Sequence, residues 1–125
     1  MHLNLSPLKS ILADKTYMDS LSNVERKKYL QKIKLVKYIH AEGPQSNASL
    51  SSFLNLSLPT SITLINELIE ENLLERKGRG ESVGGRRPEL YALKDNSFYI
   101  LGIDMERFKI KMAIFDNNYN NITGV

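Results

Sequence analysis

Gly78-Arg-Gly-Glu-Ser-Val-Gly-Gly-Arg-Arg-Pro88 is the stretch on which the reading of this chain turns. Its glycines at 78, 80, 84 and 85 let a long loop turn tightly, because glycine takes positive φ without steric cost. Arg76, Lys77, Arg79, Arg86 and Arg87 put five cations on or beside that loop. Leu73-Leu-Glu-Arg76 leads into it and Glu89-Leu-Tyr-Ala-Leu93 returns, which reads as two strands joined by a flexible basic finger.

Upstream, the pattern changes to helical spacing. Residues 7–21 predict a short helix with Leu8, Ile11, Leu12, Tyr17, Met18 and Leu21 as apolar positions. Ser22-Asn-Val-Glu25 fits a capping box, in which serine and glutamate each satisfy a backbone N–H of the other. A long helix should follow to about Ala41, with Leu30, Ile33, Val36 and Ile39 recurring on one face, and Gly43-Pro44 should end it. Ser46 or Asn47 is placed to cap a helix over 47–54, with Ala48, Leu50, Phe53 and Leu54 available to the core. Asn55-Leu-Ser57 is the turn. Ser57 then caps a third helix to about Asn72, with Pro59 in its first turn and Leu64, Ile65, Leu68 and Ile69 inward. Asn72 suits a left-handed helix end.

Three helices followed by a long basic hairpin predict an α+β fold of the winged helix-turn-helix kind, spanning 23–95 behind a helical extension over 1–22. Lys94-Asp-Asn-Ser97 is the expected boundary. Beyond it, 98–104 and 108–116 read as two strands rich in isoleucine, tyrosine and phenylalanine, with Asn117-Asn-Tyr-Asn-Asn121 as a turn. Two apolar strands cannot bury both faces alone, so 96–125 is expected to open a further, truncated domain.

Composition sets the outer bounds. At 125 residues with 42% hydrophobic and 25% charged, the chain suits one compact domain and little more. No apolar run approaches the roughly 20 residues that a membrane helix needs. The absence of cysteine removes disulfides and thiolate-bound metals, and fits a reducing cytoplasm. The net charge of +3 is unevenly spread: between Arg26 and Arg87, eleven basic residues face six acidic ones. An excess concentrated in one unit favours an anionic polymer as partner. Solvated lysine faces are the plainer account of the first long helix taken alone.

The order of elements resembles the ROK family, in its NagC/XylR-like regulator branch. Leu56-Ser-Leu-Pro-Thr60 through Leu74 is similar to the family's recognition helix and following strand, and Ser82–Pro88 is similar to its wing signature. Gly102-Ile-Asp104, Lys109-Ile110 and Ala113-Ile-Phe-Asp116 resemble the opening hairpin of its sugar-kinase-like domain. The resemblance implies a DNA-binding regulator, a homodimer, and a sugar or sugar-phosphate effector held by the rest of a longer protein. Kinase members carry Gly-Gly-Thr where this chain has Glu106, Arg107 and Phe108. A carboxylate and bulky side chains there oppose the close approach of phosphates, so phosphoryl transfer is not expected. No cofactor or metal is expected within these residues either.

In such a module the second helix of the pair enters the major groove. The candidate contacts are Ser57, Pro59, Thr60, Ile62, Thr63 and Asn66 on that helix, with Leu58 beside them, and Arg79, Arg86 and Arg87 on the loop. None of the helix candidates is basic, so arginine-to-guanine readout is missing and A·T-rich sites are favoured. Asn66 suits adenine, Ile62 suits a thymine methyl, and Thr60 suits a phosphate or a cap. Two readings stand for Ile62: a groove reader with Ser61 buried, or a core residue with Ser61 outward. The loop arginines either enter a minor groove or pair with Glu75, Glu81 and Glu89. His40 reads as a helix-end residue, and Asp104 and Asp116 as strand-end residues. Dimerisation is expected through the 98–116 strands or the N-terminal helix. The rival readings are a ROK-type sugar kinase with a winged extension, and a winged helix that binds an acidic protein.

Overall fold

Ser22 opens the first long helix. In a computed structural model of the chain, which describes residues 15–81 and 85–124, its hydroxyl accepts the Glu25 N–H at 3.3 Å. The Glu25 carboxylate accepts the Ser22 N–H at 2.9 Å, which completes the capping box. That backbone N–H, with the serine hydroxyl, holds the Glu25 carboxyl below its ordinary range. Ahead of the cap runs α1 (Lys15–Ser20), and residues 7–14 of the expected first helix lie outside the described residues.

Helix α2 (Asn23–Glu42) ends at Gly43, whose φ of 84° is a conformation that side chains resist. Helix α3 (Asn47–Leu54) takes Ser46, not Asn47, as its cap, and closes on Asn55 in the left-handed region. Helix α4 (Leu58–Glu70) is capped by Ser57 and carries Pro59 in its first turn. Asn72 beyond it has a φ of 61°, the left-handed helix end expected of it. The axes of α3 and α4 are bent by 108° across a short turn.

The second half is β-structure in two antiparallel sheets. Strands β2 (Leu74–Arg79) and β3 (Glu89–Leu93) form the basic hairpin, and β1 (Gln45–Ser46), absent from the sequence reading, adds to the other edge of β3. Pairing runs from Leu74 opposite Leu93 to Arg79 opposite Glu89, with an irregularity between Arg76 and Arg79. Ser82, Val83 and Gly84 lie outside the described residues. The second sheet is the hairpin of β4 (Tyr99–Glu106) and β5 (Lys109–Asp116), paired without a break.

The core gathers Leu35, Val36 and Ile39 of α2, Leu50 of α3, Leu64, Ile65 and Leu68 of α4, and Leu73, Leu74 and Tyr91 from the sheet. Each fully buried leucine or isoleucine contributes about 1.5–3 kcal/mol. Three expected core positions differ, the first being Ala48, which is exposed at the start of α3. Leu30 is exposed, because the buried stripe of α2 runs through Tyr29, Leu35, Val36 and Ile39 instead. Phe53 is half exposed and stacks on Tyr38 at 3.9 Å, covering the outside of the core. On β4 and β5, Leu101, Ile103, Met105, Ile110 and Met112 share one face of the hairpin and are all exposed, so that apolar face is uncovered.

Candidate nucleic-acid interface

The site is organised by α4, whose first turn is held from two directions. Ser57 Oγ accepts the Thr60 N–H at 3.3 Å and lies 2.8 Å from the Thr60 hydroxyl, so Thr60 belongs to the cap. Asn47, at the start of α3, donates from its side-chain amide to the Leu58 carbonyl at 3.2 Å, tying the two helix starts together. Thr63 donates its hydroxyl back to the Pro59 carbonyl at 2.9 Å. Pro59, Thr60, Thr63 and Asn66 are exposed along one flank of the helix.

From the far end, α4 is fixed against α2. Lys32 reaches Glu67 at 3.0 Å and Glu71 at 2.5 Å, and Lys28 reaches Glu67 at 2.9 Å. Burial pushes the Lys32 ammonium down, but the Glu71 and Glu67 carboxylates outweigh it and leave it raised. Burial likewise pushes the Glu67 carboxyl up, and Lys28 and Lys32 together bring it below its ordinary value. The charges thus lie away from the exposed flank, which stays neutral.

Ser61 is fully buried and Ile62 half-buried. Neither sequence alternative holds whole: Ser61 faces the core, while Ile62 packs on the core edge and lines the concave face. That concavity, about 1080 Å³, brings Ile62 together with Arg79, Arg86 and Arg87, and with Asn47 and Tyr91. Arg79 and Arg87 also line a smaller hollow with Gly80 and Glu81. Ser57, Pro59, Thr60, Thr63 and Asn66 do not line the cavity. The sequence reading offered Ser46 and Asn47 only as caps and Ala48 only to the core, so it missed all three as lining of this cavity.

The loop's charges divide into two groups. Arg76 is paired with Glu89 at 3.2 Å, and Lys77 with Glu75 at 3.8 Å. Glu89 also accepts the Tyr91 hydroxyl at 3.3 Å. Burial first, and then the charge of Glu89, pushes the Tyr91 phenol up. Arg79, Arg86 and Arg87 have no carboxylate partner among the described residues. Glu89 also lines the cavity but is met by Arg76, so the three unpaired guanidinium groups beside Ile62 leave it able to take a polyanion with flat, apolar edges.

Glu106, Arg107 and Phe108 form the tip between β4 and β5. Glu106 pairs with Lys111 at 3.6 Å, and the Arg107 guanidinium lies 5.1 Å from the Phe108 ring centre. Among the described residues, no group of three His, Asp or Glu side chains stands close enough to hold a metal ion.

The chain matches no family model. It is similar to curated proteins named xylose repressor. It is 36% identical to that of Bacillus spizizenii and 34% identical to that of Bacillus subtilis, each over 94 residues and 75% of this chain. The xylose repressor of Caldicellulosiruptor bescii is 35% identical over 78 residues, 62% of this chain. The matched segment is 20–22% of each relative, so the chain spans about a fifth of the length of the proteins it matches.

Proposed function

We infer that this chain, which belongs to the XylR-like regulators of the ROK family, acts as a DNA-binding transcriptional repressor of sugar-related genes. In this reading residues 23–95 are a winged helix-turn-helix, preceded by a helical extension over 1–22. Residues 96–125 are the first strands of the ROK domain, and a sugar or sugar phosphate is the effector of the whole protein. One observation carries the reading: Ile62 of α4 and Arg79, Arg86 and Arg87 of the β2–β3 loop line the same cavity.

Helix α4 enters the major groove by its first turns. Ser57 and Thr60 meet phosphates there with Pro59 packed beside them, Ile62 meets a thymine methyl, and Thr63 and Asn66 face base edges. The Thr60 and Thr63 hydroxyls are already engaged within the helix, so Asn66 carries the directional readout, with adenine as its partner. Arg79, Arg86 and Arg87 reach the adjoining backbone and minor groove, which is narrowest and most negative in A·T tracts. With no cation on the flank of α4, the operator is A·T-rich and is read partly by shape.

A single such module covers about 600–1,000 Å² of DNA, too little for tight specific binding. The protein is therefore a homodimer on a pseudo-palindromic site. Competition between A·T-rich and G·C-rich duplexes, followed by fluorescence anisotropy, tests this reading, and equal affinity for both contradicts it. With about six phosphates neutralised per dimer, log affinity falls against log salt with a slope of about −5. A slope near zero removes the electrostatic account.

A further inference from the structure

We infer that His40 latches the three-helix unit to the turn after β5, and that this joint is one state of a two-state hinge. His40 sits in the last turn of α2, and its Nε2 lies 2.8 Å from the Asn117 carbonyl, seventy-seven residues away. A carbonyl only accepts, so Nε2 carries the hydrogen and donates it. The Tyr119 hydroxyl lies 3.3 Å from the other ring nitrogen. The Phe98 ring meets the imidazole edge-on at 5.4 Å, and the Asn118 amide donates to Asp95 at 3.1 Å. Every one of these contacts runs from the helical unit or its 94–97 linker to residues that directly flank the β4–β5 hairpin.

The closed joint also contains a cost. Asn117 is 2% exposed, and both the oxygen and the nitrogen of its side-chain amide are buried without a hydrogen-bond partner. A sealed, unpaired amide gives up bonds that water would supply, so opening the joint returns them. Beside these groups lies a cavity of about 340 Å³, lined by His40, Pro44, Asp95 and Tyr119, so the seam is not packed solid. Favourable contacts set against an orphaned amide leave the closed arrangement dominant, with an open one as its minor alternative. The geometry stands apart from the DNA reading. Its consequence rests on that reading, since a hinge here changes how the reading helix is presented relative to whatever the hairpin joins.

The chain has no cysteine, so two introduced ones take spin labels cleanly. Ser52→Cys on α3 and Lys109→Cys on β5 are both at exposed positions across the joint. Single-label samples remove any signal between copies. The expected pulsed electron resonance result is one dominant label-to-label distance in the parent. His40→Ala should broaden that distribution about twofold or split it in two. His40→Gln, which keeps an N–H donor at similar reach, should restore the parent distribution, and Asn117→Ala should keep it or narrow it. A His40→Ala distribution as narrow as the parent overturns the latch, and Asn117→Ala as broad as His40→Ala overturns the orphaned amide as a cost. If His40→Ala loses its helical circular dichroism, Tyr119→Phe replaces it, and a distribution unchanged by that variant also overturns the latch. The measurement contains no DNA, so its failure and that of the DNA reading are separate results.

Discussion

Lys32 Nζ stands 2.5 Å from Glu71 Oε1, so that one partly buried ammonium on α2 anchors the C-terminal end of α4. Its side chain is only 12% exposed, whereas the two carboxylates it meets are about one-third exposed. Lys32→Met should destabilise the fold by about 1–3 kcal/mol, between the values for exposed and buried pairs. Chemical denaturation checks it, and a loss within error of zero would mean that the pair holds nothing.

The same network sets a pH window. Glu67 is held below its ordinary value of 4.5, so its share of stability is present above that value and lost as pH falls through the folded one. Lys32 is raised above 10.5, so its share is present below that value and lost as pH rises through the folded one. Stability from this cluster should therefore plateau between these limits and fall on both sides. Glu67→Gln should flatten the acid limb in thermal melts taken across pH.

Ser61 presents the opposite case. It is fully buried and its hydroxyl has no partner among the described residues. Ser61→Ala removes an unpaired polar group and adds helix propensity, so stability should rise by about 1 kcal/mol, or about 4–8 °C in Tm. A fall in Tm would mean that the hydroxyl is bonded.

The loop arginines should separate by their partners. Arg86→Ala and Arg87→Ala, uncompensated in the cavity, should each weaken duplex binding on all sequences and reduce the salt slope by about 0.9. Arg76→Ala, whose charge is already met by Glu89, should change the slope less. Equal slopes for the three variants would disconnect ion pairing from binding.

Asn66 should act differently from the arginines. Asn66→Ala should cost about 1–3 kcal/mol of discrimination at one A·T pair and leave the salt slope alone. Binding to a set of single-substituted duplexes reads this directly. A uniform loss across the set would make Asn66 a phosphate contact.

What was legible from residues alone is whatever closes within one or two turns of chain. The Ser22–Glu25 box, the Ser57 cap with Pro59 behind it, the stop at Gly43 and the left-handed Asn72 all depend on hydrogen bonds or φ preferences spanning at most four residues. The basic hairpin was equally plain, since glycine-rich turns and flanking strands are local signals. Tertiary structure alone decided the rest. That Ser61 faces the core while Ile62 reaches the arginine-lined cavity depends on how α4 is rotated by contacts with α2, thirty-nine residues away. The pairing of Gln45–Ser46 with β3 and the meeting of His40 with Asn117 arise in the same way. Helical spacing specifies a stripe but not its partner; the partner is chosen only when distant surfaces compete for the same buried area.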